Sequence, residues 1–267
     1  MLQFDAKPKY PPVGRCIYCD AVDEDLTDEH IVPFGLAGNS LILQKASCRQ
    51  CAKITSQFEL DCLRTTWGLF RNQFGMPTGK PKNRRGEAAL EIGARGAGGT
   101  FEPTGRKLTA PVRSLPFVYT TPLLDPPGIL LGRPPCEEWS GQFWIYRDGI
   151  EALSQVRDLH EGLRVASINP LSFGRMLAKI AHSYAVAELG PAAFSPLVRE
   201  LILGSTSTMT HWVGAGTTDL VPSSATSLHE IRSGWGSIGD QSFAIVEIRL
   251  FAPLGTPTYM VVAGSRT

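Results

Sequence analysis

Four cysteines and one histidine carry the densest chemical information in this chain. Cys16 and Cys19 form one Cys-x-x-Cys pair, and Cys48 and Cys51 form another. Thiolates spaced by two residues can grip one ion from a tight knuckle, and two such pairs close the tetrahedral shell of a structural zinc. A redox Cys-x-x-Cys would instead open a helix after an apolar strand. The pairs are 28 residues apart, so an insertion sits inside the zinc loop. That insertion contains Asp28-Glu29-His30-Ile31-Val32-Pro33, followed by Gly35, Gly38 and Asn39. Histidine is suited to activating water near neutral pH. A neighbouring carboxylate can hold a hard divalent cation. Hydrolysis of a phosphodiester uses both.

The elements that must position these groups can be read from local pattern. Residues 26–33 read as a short extended segment, 34–40 as a glycine-containing loop and 41–43 as a second short strand. From Cys51 to Phe70 the apolar positions 54, 58, 62, 63, 67 and 70 recur at helical spacing. The first 70 residues thus spell strand, loop, strand, helix, with zinc pinning the ends. In a regular strand Glu29 and His30 point to opposite faces, whereas Asp28 and His30 share one. Asp28 is therefore a second candidate ligand. Beyond residue 115 the pattern is mixed α+β. A helix over 170–189 has Asn169 to cap it, Pro170 at its first position and Gly190-Pro191 to end it. A shorter helix is expected at 196–203. Strand candidates are 116–120, 128–131, 143–146, 163–167, 227–232, 243–250 and 258–263.

The combination of Cys16-x-x-Cys19, Glu29-His30-Ile31-Val32-Pro33, Gly38-Asn39 and Ser47-Cys48-Arg49-Gln50-Cys51 resembles the HNH endonuclease family. The likeness covers residues 14–70, about a quarter of the chain. It implies a ββα-metal fold whose structural zinc is separate from a catalytic Mg²⁺ or Mn²⁺. His30 would be the general base, Glu29 a ligand of the catalytic cation, and Asn39 the central asparagine that orients the histidine. The implied activity is divalent-metal-dependent endonucleolytic hydrolysis of DNA. One departure stands out: the position after the last cysteine, which often binds the catalytic metal in this family, is Ala52. Thr55 or Ser56 lie one helical turn on. Glu59, two turns on and about 10 Å along the helix axis, could supply the missing oxygen. The alternative is a zinc-containing nucleic-acid-binding module whose third ligand position has been lost at Ala52.

Composition bounds the rest. With 43% apolar and 19% charged residues the 267-residue chain can bury a core, which excludes global disorder. The net charge of +1 provides no global field for nucleic acid, so DNA contact must use a local patch. Between 75 and 113, eight basic residues face three acidic ones. Lys80, Lys82, Arg84 and Arg85 are the candidate phosphate contacts there. The expected organisation is an α+β chain with a zinc-stapled HNH domain at 1–74, a basic Gly/Pro-rich linker at 75–114 and an α+β domain of unknown role at 115–267. Loss of zinc would then unfold residues 14–70 alone. No apolar run is long enough for a membrane span, and the N-terminus lacks the features of a signal peptide, so a cytoplasmic protein is expected. Cys62 on its apolar stripe reads as a buried hydrophobe. His160, His182, His211 and His229 read as structural.

Overall fold

The structure is a computed structural model. It describes residues 9–22, 25–84, 86–96, 101–149, 161–164, 168–216, 220–224 and 227–267. An N-terminal region of interleaved strands and helices carries the four cysteines, and a mixed α+β region follows. In the first lie β1 (Thr27–His30), α1 (Phe34–Ala37), β2 (Ile42–Ser47), α2 (Arg49–Leu60), a π-helical stretch (Asp61–Thr66) and α3 (Gly68–Gln73). Next come β3 (Glu87–Arg95), β4 (Phe101–Pro111), β5 (Phe117–Pro122), β6 (Phe143–Asp148) and β7 (Glu161–Leu163). The remainder comprises α4 (Pro170–Leu189), β8 (Phe194–Pro196), α5 (Arg199–Leu203), α6 (Met209–Trp212) and β9 (Val213–Ala215), then β10 (His229–Ile238), β11 (Gln241–Leu250) and β12 (Tyr259–Arg266).

β1 and β2 form an antiparallel ribbon whose register breaks in the middle. Thr27 pairs with Ser47, while Glu29 pairs with Leu43 and His30 with Ile42. The excess falls on β2, where Lys45 takes the left-handed φ of 47°. The Asp28 carboxylate accepts the Lys45 backbone N–H at 3.1 Å, giving the bulged donor a partner. The ribbon leads into α2, whose first turn is capped by Cys48 accepting from the Cys51 N–H.

Helix α4 is the organising element of the later region. The Asn169 side chain accepts the N–H groups of Leu171 and Ser172, and Pro170 occupies the first turn. The helix buries Phe173, Met176, Leu177, Ile180 and Ala181. It packs on β11 and β12 of a five-stranded sheet ordered β10-β11-β12-β8, with β9 also on β12. It also packs against α2, α5 and α6. One apolar cluster therefore runs from Ile31, Leu36 and Phe58 to Phe173, Met176 and Val246. Trp67 sits at the join. It stacks on Tyr119 (centroids 5.4 Å apart, 16° between planes) and meets Phe173 and Phe251 edge-on. Its indole N–H donates to the Thr120 carbonyl at 3.3 Å.

Several elements differ from their sequence reading. The segment read as a linker contains the hairpin β3–β4, to which β7 adds a third strand. Leu90 faces Leu108 across it, and Ile92, Leu108 and Leu115 make a small core of their own. The Gly, Pro and basic residues within and beside these strands masked the alternation. Residues 128–131 form a 3₁₀ turn rather than a strand. The long helix breaks into α2, the π stretch and α3, and the wider turn delivers Cys62, Leu63 and Trp67 to the interior. Of the expected strand at 163–167 only Leu163 lies in a strand, at the end of β7; Arg164 is outside it, and residues 165–167 lie outside the described ones, as does His160. No described helix is long and apolar enough to cross a membrane.

Candidate metal centre and histidine cluster

The four cysteine sulfurs lie within 4.8 Å of one another, with Cys16, Cys48 and Cys51 buried and Cys19 exposed. The sulfurs of Cys19 and Cys48 are 3.8 Å apart. Tetrahedral thiolates at about 2.3 Å from zinc stand about 3.8 Å from each other, so the set fits Zn²⁺. The backbone builds the knuckle. Asp20 donates to the Cys16 carbonyl at 2.9 Å and adopts a positive φ of 62°, and Cys16 donates to Ala21 at 2.8 Å. Ile17 N–H donates to Ala46 at 2.8 Å and ties this turn to β2. Burial pushes the Cys51 thiol far up, and the neighbouring Cys16 adds to the effect. A bound dication supplies the charge that reverses this.

His182 supports the knuckle from α4. Its Nε2 lies 2.7 Å from the Ile17 carbonyl, and its ring packs 5.7 Å from that of Tyr18. Burial lowers its pKa to about 4, so the ring is neutral and Nε2–H is the donor. The apolar periodicity of 170–189 marked this face as core; the knuckle contact depends on a fold that places residue 182 against residue 17.

One turn earlier on α4, Lys179 meets the acid–histidine motif. Its Nζ is 2.5 Å from Glu29 Oε1 and 2.8 Å from Glu59 Oε1, and it also donates to the backbone carbonyl of His30. The lysine and Glu29 side chains are only 1% and 6% exposed. Burial works against the ammonium, but the two carboxylates outweigh it and hold the Lys179 pKa above its ordinary value. Glu59 is shifted upward by its own burial, with Lys179 opposing. Nothing in the sequence points to Lys179, because a lysine within an apolar helical stripe is most often a solvated edge.

His30, at the end of β1, is half-buried. Its pKa lies below the ordinary value, mainly through burial and then through Lys179, with Glu59, Asp28 and the Gly38 backbone pulling the other way. Its Nδ1 is buried without a hydrogen-bond partner, and its ring meets Phe34 edge-on at 5.7 Å.

The other sequence-predicted residues are more scattered. Asp28 is committed through one oxygen to the β2 bulge. Asn39 is exposed in the loop after α1. Ala52 is half-buried in the first turn of α2. The hydroxyls of Thr55 and Ser56 donate back to the carbonyls of Ala52 and Lys53 at 3.1 and 2.8 Å, so both are used by the helix. Lys80 and Lys82 are exposed around a 3₁₀ turn, the Arg84 guanidinium donates to the Met76 carbonyl, and Arg85 lies outside the described residues.

Among the described residues the four cysteines are the one group of three or more His, Cys, Asp or Glu able to hold a metal ion. A hard divalent cation on Glu29 does not fit the site as it stands, because that carboxylate is buried and already faces an ammonium. A cavity of about 430 Å³ lined by Asp125, Arg133, Cys136, Trp139 and His211 includes none of the sequence-predicted site residues. No protein-family model, no curated protein and no solved structure matches the chain.

Proposed function

We propose that residues 14–70 act on nucleic acid as an HNH-type unit, hydrolysing DNA phosphodiester bonds with His30 as general base. The observation that supports this reading is the placement of His30. It closes β1 of a strand–strand–helix element whose two ends meet in a four-cysteine cluster, and its ring is half-buried with a lowered pKa. A neutral imidazole can accept a proton from water, and an imidazolium cannot. Water would lose its proton to the ring as its oxygen bonds to phosphorus, and the leaving sugar oxygen departs from the opposite side and takes a proton from solvent. Lys80 and Lys82, exposed beside this unit in sequence, would meet backbone phosphates. The family likeness assigns a divalent cation to Glu29. Glu29, buried against Lys179, does not fit that role here.

A second reading has its own observations. Ala52 offers no ligand atom, and Lys179 closes Glu29; both favour a zinc-stapled module that binds nucleic acid without cutting it. Supercoiled plasmid incubated with the zinc-loaded protein in Mg²⁺, Mn²⁺ or EDTA separates the two. Nicking that is abolished in His30→Ala, with zinc content and DNA binding retained, supports hydrolysis. DNA binding with no nicking under any condition supports the module.

A further inference from the structure

The ammonium of Lys179 has no part in the hydrolysis proposed for His30. It is delivered from α4, well beyond the chain's basic segment in sequence, and ends among three oxygens: Glu29 Oε1, Glu59 Oε1 and the His30 carbonyl. An ammonium has three donors, and three acceptors face it. Glu59 Oε1 is buried, and the Lys179 ammonium at 2.8 Å is the partner that meets it. Two carboxylates this close, Glu29 buried and Glu59 partly so, need a positive partner to stay ionised. The partner is already part of the chain.

We propose that Lys179 is the resident cation of the Glu29–Glu59 pair. It occupies the place that an HNH-type reading gives to a divalent ion, and the pair takes up no Mg²⁺ or Mn²⁺ while α4 is docked. Displacing the ammonium would require withdrawing a helix that is buried along most of its length. The region after residue 115 therefore sets the cation chemistry of the N-terminal site. Under the proposed function, any cation that assists His30 approaches from the solvent side rather than through Glu29.

The test is Mn²⁺ binding to the full-length, zinc-loaded protein, read by electron paramagnetic resonance without nucleic acid. Wild type and Glu29→Gln should bind Mn²⁺ identically. Lys179→Met, which keeps the length of the side chain and removes its charge, should gain one Mn²⁺ site at least tenfold tighter than any in wild type. Lys179→Met/Glu29→Gln should lose it again. A wild-type Mn²⁺ site that Glu29→Gln removes would overturn the proposal, and so would a folded Lys179→Met protein that gains none. If Lys179→Met does not fold, the comparison of wild type with Glu29→Gln still decides. Cleavage is not measured, so failure of the nuclease reading leaves this result intact.

Discussion

Lys179 and Glu29 form a buried ion pair at 2.5 Å between helix α4 and the strand that carries His30. Pairs of this kind contribute little relative to an apolar replacement, but removing one partner leaves an uncompensated buried charge, at a cost of roughly 3–5 kcal/mol. Lys179→Met should therefore lose about that much stability in urea titrations at saturating zinc. Adding Glu29→Gln and Glu59→Gln should restore a substantial part. A loss below about 1 kcal/mol for the single variant would show that the two glutamates are protonated and need no partner.

Zinc should stabilise more than the segment that binds it. The sequence organisation suggests that losing the ion would unfold residues 14–70 alone. The shared apolar cluster and the contacts of α2 with α4 couple the regions. Cys16→Ser, or chelation of wild type, should reduce hydrogen-exchange protection of amides 170–189 along with that of α2. Full protection of α4 in the zinc-free protein would contradict this coupling.

His182 should impose an acid limit on stability. The unfolded ring binds its proton near the ordinary 6.5, whereas the folded ring, fully buried, does so only near 4. Protons therefore favour the unfolded chain, and stability falls as pH drops from about 6.5 toward 4, by up to about 3 kcal/mol from this group. Zinc release adds its own acid dependence, so the comparison must be made between variants. His182→Gln should show a smaller difference in unfolding free energy between pH 7 and pH 5 than wild type does. Equal differences would remove His182 as the cause.

The basic turn should contribute electrostatically, with its residues dividing into two kinds. Lys80, Lys82 and Arg84 are all exposed, but the Arg84 guanidinium is engaged with the Met76 carbonyl. Replacing both lysines with glutamine should weaken DNA binding at every sequence. It should also reduce the slope of log affinity against log salt by up to about 1.8, at about 0.9 for each phosphate no longer neutralised. Arg84→Gln should instead lower stability. An unchanged salt slope in the double lysine variant would confine this segment to a structural role.

What could be read from sequence was local. Cys-x-x-Cys spacing announces a metal knuckle, and Asn169-Pro170 with Gly190 marks both ends of α4 to the residue. The β2 bulge opposite Asp28 could not be read, because it depends on Lys45 adopting a left-handed backbone that no glycine advertises. The hairpin β3–β4 was hidden by the Gly, Pro and basic residues within its own strands. The partners of Glu29 and of the Cys16–Cys19 knuckle were hidden by distance: Lys179 and His182 lie far along the chain, and only packing of α4 against α2 brings them in. Glu59 was legible as a carboxylate two turns beyond Ala52, but its actual partner was not.

The separation of 149 residues between His30 and Lys179 also sets an order of events during synthesis. A ribosome adding about 5–20 residues per second needs on the order of ten seconds to travel that far. Through this interval Glu29 and Glu59 have no ammonium to meet, and the apolar face awaiting α4 has no cover. The nascent N-terminal segment must stay loosely structured, accept a proton on a carboxylate or borrow an ion from its surroundings until the helix emerges. A chain truncated before residue 170 would stay in that condition indefinitely, which makes it a natural substrate for chaperones and proteases.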